Sequence, residues 1–170
     1  MQLEIGSGKK SGWITIDAVK VADFVCVVPP LPAEIRAMDF TKVQAIHFWE
    51  HLYHWQAVQL ASEVYAVLKD GGKLILEMPN MIKCCEYIAG VHPVPHTAAS
   101  PRTPDPRFTM WGLFGAQDDP PHVGDIHHAH KWGYSPASIK LMLKEAGFAM
   151  VDILPTQSKA GRDMRIEAYK

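Results

Sequence analysis

Hydrophobic residues recur along the chain with two periods, and each period predicts one kind of element. Alternating or continuous apolar runs, rich in Ile, Val and Leu, predict strands. They lie at about residues 3–5, 13–17, 22–28, 43–48, 73–78, 148–154 and 163–169. Apolar residues at steps of three and four predict helices instead. These lie at about residues 55–68, 81–89 and 136–146, with a shorter helix at 33–40.

The two most periodic helices also predict which side chains are buried. The buried stripe of the helix at 55–68 is predicted to comprise Trp55, Val58, Ala61, Val64, Tyr65 and Leu68. The last helix begins at Ser135 and Pro136, because serine is a good N-cap and proline suits the first helical position. Its buried side is predicted to comprise Ile139, Leu141, Met142 and Ala146.

The order of the elements predicts the fold class. Strands alternate with helices along most of the chain, which indicates a mostly parallel sheet covered on both faces. The last two strands follow each other without a helix and should form a hairpin. We therefore expect one α/β domain over residues 1–170: a three-layer, Rossmann-like sandwich with a seven-stranded, mostly parallel sheet and an antiparallel last strand. Residues 90–133 show little periodicity and are expected to form a lid or insertion.

Composition is that of a globular protein and argues against several functions. The 170 residues are 48% hydrophobic and 21% charged, with a net charge of −1 and no basic run, so nucleic acid is not an expected partner. No apolar segment has the length of a membrane span, and no signal peptide is predicted. Cys26, Cys84 and Cys85 lack metal-binding spacing, so we expect reduced thiols in a cytoplasmic protein.

Turn residues after the strands predict where a ligand binds. Gly6-Ser7-Gly8 follow the first strand and Asp17 ends the second, which is typical of adenosine binding, with the carboxylate on the ribose hydroxyls. The alternative is an ordinary turn. The stretch between Gly8 and Asp17 is too short for a helix that could receive a pyrophosphate, so a phosphate-free nucleoside is favoured. Loops that follow strands should converge on this edge of the sheet; they comprise 6–8, 17, 29–32, 48–51 and 79–80.

Six segments of the chain resemble class I S-adenosylmethionine-dependent methyltransferases. The segments are LEIGSG, ITID, the Pro-Pro-Leu-Pro stretch, IHFWEHL, EVYAVLKDGGKLILEMPN and HKWGYSPASIKLMLKEAGF. The chain looks most like a small group usually described as predicted methyltransferases, in which the first helix is nearly absent. The fifth segment is the most specific, although Asp70 stands where the family usually has proline.

The resemblance implies S-adenosylmethionine as the methyl donor and S-adenosylhomocysteine as its product. Asp17 would hold the ribose, the glycine turn would approach the methionine portion, and residues 28–31 would lie near adenine. The cofactor-binding residues implied in this way are Glu4, Gly6, Ser7, Gly8, Asp17, Val28, Leu31, His47 and Phe48. The chain departs from the family in two respects. The helix before the first strand is missing, which leaves a surface for a possible homo-oligomer, and apolar Val27 and Val28 stand where an acid often contacts adenine.

The methyl group of such a donor is already activated, so the protein must mainly align a nucleophile and exclude water. We expect a small-molecule acceptor with a hydroxyl or amine, and His51 as the first candidate for its general base, with His130 as the second. The alternative for His51 is a packing or capping role. The acceptor wall is predicted to comprise Trp49, Trp111, Trp132 and Tyr134, together with Phe114; the alternative is that these aromatic residues only pack.

Histidine and aspartate within residues 90–133 leave two other functions open. The group comprises Asp118, Asp119, His122, Asp125, His127, His128 and His130. These are sensible ligands for zinc, and a metal-dependent hydrolase is one alternative. Their spacing matches no metal motif, so no metal site is predicted. The other alternative is a catalytically inactive module that binds S-adenosylmethionine.

Overall fold

A seven-stranded sheet forms the centre of the computed structural model, which describes residues 1–18, 21–93, 107–115, 127–156 and 161–170, without the side chains of 107 and 108. The strands are β1 (Gln2–Ile5), β2 (Ile14–Asp17), β3 (Phe24–Val25), β4 (Phe40–Ile46), β5 (Leu68–Pro79), β6 (Met150–Pro155) and β7 (Asp163–Tyr169). Their order across the sheet is β3-β2-β1-β4-β5-β7-β6.

The strand directions confirm the predicted fold class. β1 is parallel to β2 and β4, and β4 is parallel to β5. β7 is antiparallel to both β5 and β6, as the hairpin argument required. β3 is shorter than the predicted 22–28, because it is the edge strand and has a hydrogen-bonded neighbour on one side only.

The helices are α1 (Ala33–Arg36), α2 (His54–Val67), α3 (Met81–Ile88), α4 (Arg107–Phe114) and α5 (Pro136–Glu145), with a 3-10 turn at Trp49–His51. α2 contacts α1 and α5, and α3 contacts α4. Ser135 caps α5 by accepting a hydrogen bond from the Ser138 backbone N–H, as predicted. α4 lies within residues 90–133, for which no periodic element was predicted. In the part of the chain that is described, no helix is long and apolar enough to cross a membrane.

The predicted buried faces of two helices were partly wrong. Trp55 and Val58 are exposed, 64% and 42%, although both were predicted in the buried stripe, and Leu141 on α5 is 60% exposed. The buried residues of α2 are Ala57, Leu60, Ala61, Val64 and Val67, and those of α5 are Ile139, Met142 and Leu143. Each helix has two adjacent apolar rows, so periodicity identified the helix without fixing which row faces the sheet.

The parallel strands bring the predicted ligand loops to one edge of the sheet. β1, β2, β4 and β5 run in the same direction, so their carboxyl ends share this edge. Strand order reverses at β1: β2 and β3 lie on one side of it, and the chain then crosses back to place β4 on its other side. Open parallel sheets bind ligands at this kind of switch point.

Candidate functional site

A cavity of about 450 Å³ opens at the carboxyl edge of the sheet. Its volume lies in the range of small-molecule sites. The predicted residues that line it are Gly6, Asp17, Val28, His47, Phe48 and His51. Apolar side chains of Ile5, Ile16, Cys26, Val27 and Leu52 line it as well. The fold therefore brings the ends of β1, β2 and β4 together around one space.

Gly6 must be glycine in this structure. Its φ angle is +85°, a backbone conformation that side chains with a Cβ rarely adopt. A Cβ added at Gly6 would also lie only 2.8 Å from Phe48 Cγ. The Gly6 N–H donates to the Ile16 carbonyl at 2.8 Å, which joins the end of β1 to β2. The glycine turn after β1 therefore packs directly against Phe48, which follows β4.

Asp17 presents its carboxylate to the cavity in a fixed position. The side chain is buried, and its Oδ2 accepts a hydrogen bond from the Gly8 backbone N–H at 2.9 Å. The same bond holds the glycine turn against the end of β2. A carboxylate held in this way is preorganised to accept further hydrogen bonds from a ligand.

Glu4 and Ser7 stabilise the turn and do not line the cavity. The buried Glu4 carboxylate accepts hydrogen bonds from Ser7 Oγ at 2.5 Å, Lys10 Nζ at 2.6 Å and Gln44 Nε2 at 3.2 Å. Gly8 and Leu31 are also absent from the cavity wall. Of the nine residues predicted to bind the cofactor, these four do not line the cavity in this structure.

A second cavity, of about 220 Å³, adjoins the first. The two share His47, His51 and His128 as walls. The other residues that line the smaller cavity are Glu50, Trp111, His130 and Arg162. Both histidines predicted as catalytic candidates therefore face it, and His51 faces both cavities.

His47 connects two carboxylates at the end of β4. Its Nδ1 lies 3.2 Å from Glu50 Oε1, and its Nε2 lies 3.3 Å from Asp163 Oδ2. Its φ angle of 51° is uncommon for a residue with a side chain, and its N–H donates to the Glu77 carbonyl at 2.8 Å. Arg162 Nε donates to Asp163 Oδ1 at 2.6 Å and completes this group of charges.

Glu50 is a buried, ionised carboxylate. Burial alone would raise its pKa, but the net result is a pKa below its usual value, and the hydrogen bond from His47 is the largest cause of the lowering. Only 2% of the side chain is exposed, and among the described residues Oε2 has no hydrogen-bond partner. From the sequence, Glu50 could orient His51, but a structural hydrogen-bonding role was the favoured alternative.

His51 and His130 each hold one ring nitrogen against a backbone carbonyl. His51 Nδ1 lies 3.2 Å from the Ala129 oxygen, and His130 Nδ1 lies 3.0 Å from the Gly112 oxygen. A carbonyl can only accept, so both Nδ1 atoms carry hydrogen and both Nε2 atoms carry the lone pair of the neutral ring. Burial lowers the pKa of His51 and lowers the pKa of His130 to about 4, so both rings are neutral at pH 7.

Residues 127–131 are attached to the 3-10 turn that carries Glu50 and His51. The Lys131 N–H donates to the Glu50 carbonyl at 2.8 Å, and Lys131 Nζ donates to the His51 carbonyl at 3.0 Å. The His130 N–H donates to the Phe114 carbonyl at the end of α4. The smaller cavity is thus lined by four segments that are far apart in sequence: residues 47–51, 111, 128–130 and 162.

The predicted aromatic wall is not assembled as expected. Trp49 and Tyr134 are fully buried in the core and line neither cavity. Trp132 is half-exposed and stacks on His54 with ring centroids 4.9 Å apart, outside both cavities. Phe114 lines neither cavity, which leaves Trp111 as the predicted aromatic residue at a cavity wall.

Two further outcomes concern the histidine and aspartate group within residues 90–133 and two residues at the start of β7. Asp118, Asp119, His122 and Asp125 lie outside the described residues. Arg162 and Asp163 stand close to His47 and were missed, because the sequence around the start of β7 carries no motif that would single them out.

No family model and no curated protein sequence matches this chain. Solved structures do match. A SAM-dependent methyltransferase from Archaeoglobus fulgidus aligns with 99% of this chain and 85% of its own, at a TM-score of 0.58 and 18% identity. A 1,6-didemethyltoxoflavin-N1-methyltransferase from Burkholderia thailandensis aligns with 99% of this chain and 70% of its own, at 0.56 and 12%.

Other matched structures are longer proteins. The chain spans 50% of the length of PigF, at a TM-score of 0.54 and 12% identity, and 32% of a structure from Nostoc punctiforme. At these identities the likeness concerns the fold. The chain has the fold of class I S-adenosylmethionine-dependent methyltransferases, as its sequence resemblance implied.

Proposed function

We propose that the protein is an S-adenosylmethionine-dependent methyltransferase with a small-molecule acceptor. The observation that carries the proposal is one shared cavity wall: the Asp17 carboxylate at the end of β2 beside Gly6 in the turn after β1. Both lie at the switch point of a methyltransferase fold, where a nucleoside is the expected ligand of a carboxylate next to a glycine turn. Matched structures carry S-adenosylhomocysteine, which supports the choice of donor.

The residues at the larger cavity fit this donor. Asp17 Oδ atoms can accept hydrogen bonds from the two ribose hydroxyls, and the Gly8 N–H already fixes the carboxylate. Cys26, Val27 and Val28 supply an apolar surface for the adenine base. Because Gly6 has no Cβ, the turn packs closely against Phe48. The methionine portion of the donor would approach the cavity wall at this point.

The bound donor supplies an activated methyl group, so the protein has only to position the acceptor and manage its proton. His51 is the proposed base, because it lines both cavities and is neutral at pH 7. Its Nδ1–H donates to the Ala129 carbonyl, which leaves the Nε2 lone pair to accept the proton of an acceptor hydroxyl or amine. The Glu50 carboxylate stabilises the resulting imidazolium.

The size of the site supports a small acceptor. The smaller cavity of about 220 Å³ adjoins the proposed donor cavity and is lined by His51 and Trp111. One matched methyltransferase structure holds 1,6-didemethyltoxoflavin together with S-adenosylhomocysteine. We infer that the acceptor enters on the His51 side of the larger cavity.

Calorimetric titration with S-adenosylmethionine and S-adenosylhomocysteine, with EDTA present, tests the donor. We expect both to bind, and Asp17→Ala to weaken binding by about tenfold or more, which is about 1.4 kcal/mol. Asp70→Ala is the matched control, because Asp70 is exposed near the start of β5, at the opposite end of the strand from the cavity. No binding at millimolar concentration would refute the proposal, and unchanged affinity in Asp17→Ala would remove Asp17 from the site.

A second measurement separates the enzyme from an inactive donor-binding module. Release of S-adenosylhomocysteine is followed across a panel of small hydroxyl and amine compounds. We expect turnover with at least one of them, and its loss in His51→Ala while donor affinity stays within about twofold. Tight donor binding with no product from any compound would favour the inactive module.

A further inference from the structure

One buried and two partly buried ligand-type side chains converge in the smaller cavity. One ligand atom from each of Glu50, His51 and His130 lies within 4.8 Å of the other two. Glu50 Oε1 and His130 Nε2 are 4.0 Å apart, too far for a hydrogen bond. The rings of His51 and His130 meet edge to face with centroids 4.8 Å apart. We propose that these three residues bind one divalent transition-metal ion.

The two histidines are oriented as metal ligands usually are. A ligating histidine almost always donates its other ring N–H to a carbonyl or carboxylate, which fixes the tautomer and the ring direction. The Ala129 carbonyl does this for His51, and the Gly112 carbonyl does it for His130. Because both Nδ1 atoms are taken, both lone pairs lie on Nε2. The His130 Nε2 lone pair therefore faces Glu50 Oε1, and no hydrogen bond joins them. A cation between the two atoms would bind both.

The Glu50 carboxylate supplies a second, independent observation. Its side chain is 98% buried, it lines the cavity, and among the described residues Oε2 has no hydrogen-bond partner. Leaving a buried carboxylate oxygen without a partner is costly. A cation bound between this carboxylate and the two imidazoles would reduce that cost.

The donor set selects the class of ion. Two imidazole nitrogens and one carboxylate oxygen match sites for zinc and related transition metals, whereas magnesium and calcium prefer oxygen alone. Ligand atoms about 2.1 Å from a tetrahedral ion lie roughly 3.4 Å from each other. The side chains would have to close by about 1 Å or slightly more, and the cavity leaves room for an open coordination position.

The surrounding charges permit a cation here. Arg162 lines the same cavity, but its Nε is paired with Asp163 Oδ1 at 2.6 Å. His47 donates toward Glu50 Oε1, and Oε2 has no hydrogen-bond partner among the described residues, so the carboxylate can still bind an ion. The proposed metal site is separate from the proposed donor site, because Asp17 is not one of the metal ligands. His51 Nε2 can serve as a base or as a metal ligand, not as both at once.

Metal titration without donor tests the inference. Tag-free protein is stripped with a chelator, dialysed and titrated calorimetrically with Zn²⁺, and bound zinc is measured by mass spectrometry. We expect one ion per chain with a dissociation constant of roughly 1 µM or tighter. Glu50→Gln and His130→Asn should each weaken binding by about 100-fold or more. His54→Ala is the matched control, because this exposed histidine lies outside both cavities and should bind Zn²⁺ as the wild type does.

Nuclear magnetic resonance of the wild-type protein guards against variants that fail to fold. Zn²⁺ should shift the ring-proton signals of His51 and His130 and leave those of His54 in place. Less than about 0.2 ion per chain, unshifted signals of His51 and His130, or wild-type affinity in a folded His130→Asn variant would each overturn the inference. If S-adenosylmethionine binds in EDTA while Zn²⁺ does not bind, the metal inference fails and the proposed function stands.

Discussion

The two sides of this sheet edge are built in different ways. On the donor side, Gly6, Gly8 and Asp17 belong to one short stretch, and the hydrogen bond that joins Gly8 to Asp17 spans nine residues. On the histidine side, the contacts that join His51 to Ala129 and Lys131 to His51 span 78 and 80 residues. A site formed by one short stretch can be predicted from the sequence, whereas a site assembled from distant segments depends on the whole fold.

The two sides also differ in how they hold their charge. Asp17 is held by a backbone N–H and faces a large cavity. Glu50 Oε1 is held by His47, which also contacts Asp163. Glu50 Oε2 has no hydrogen-bond partner among the described residues. We therefore expect replacement of Asp17 to act mainly on ligand affinity, and replacement of Glu50 to act on stability as well.

Trp49→Ala should have the largest effect, because Trp49 begins the turn that carries Glu50 and His51 and is fully buried. Removing a buried tryptophan costs about 3–5 kcal/mol. Urea denaturation measures the loss. Trp55→Ala is the matched control: with 64% of Trp55 exposed, we expect a change within about 0.5 kcal/mol.

Equal costs for the two tryptophans would contradict this contrast. They would mean that Trp55 belongs to the core, as its position in the periodic stripe predicted. A small cost for Trp49→Ala would instead mean that the histidine side is not anchored through the core.

Gly6→Ala should have the next largest effect and probes the donor side. The φ angle of +85° costs about 1–2 kcal/mol for a residue with a Cβ, and the contact with Phe48 adds about 1–2 more. Gly12→Ala is the matched control, because Gly12 has a φ of +77° with nothing near its Cβ position. Urea denaturation should show a greater loss for Gly6→Ala than for Gly12→Ala. Equal losses would show that Phe48 does not press on the turn.

The sequence predicted most of the fold because its signals are local or follow from element order. The alternation of strands and helices indicated the parallel sheet, and the missing last helix indicated the antiparallel β7. Which row of a helix is buried was less predictable. Leu141 and Leu143 are chemically alike, and only packing against the sheet decides that Leu143 is the buried one.

The candidate site divides in the same way. The sequence singled out Gly6 and Asp17 because a glycine turn and an acid at the ends of adjacent strands are typical of nucleoside binding. His51 and His130 were also singled out, but their convergence on Glu50 depends on carbonyl contacts at Gly112 and Ala129 that no local pattern encodes. Trp132 and Tyr134 were predicted at the acceptor wall, yet neighbouring positions of an irregular segment can face opposite ways.

Lys131→Met should have a smaller effect that is confined to the histidine side. It removes the hydrogen bond from Lys131 Nζ to the His51 carbonyl, worth about 0.5–1 kcal/mol. Hydrogen exchange at the Lys131 and Trp132 amides, which both donate to the Glu50 carbonyl, should become about two- to fivefold faster. The Gly6 and Gly8 amides on the donor side should not change.

The exposed Lys140 gives the matched control, since Lys140→Met should leave every one of these amides unaffected. If Lys131→Met speeds exchange at Gly6 and Gly8 as well, the two sides open as one unit. The distinction between a local and an assembled side would then hold for sequence alone and not for stability.

Glu167→Gln should have the smallest effect. It indicates the pH range over which the fold stays intact and the two sides can be compared. The hydrogen bond from Lys73, with further bonds from Arg165 and Tyr169, lowers the pKa of Glu167 to about 2. Its folded pKa is thus below the value of about 4.3 for an unfolded chain, so its contribution is fully present above that pH and is lost as the pH falls towards 2. Acid unfolding followed by circular dichroism should be less steep between pH 4 and 2 in Glu167→Gln, with a midpoint shift of a few tenths of a pH unit. Parallel curves for variant and wild type would show that this ion pair between β5 and β7 does not contribute to acid stability, and that the carboxylates at the sheet edge set the limit instead.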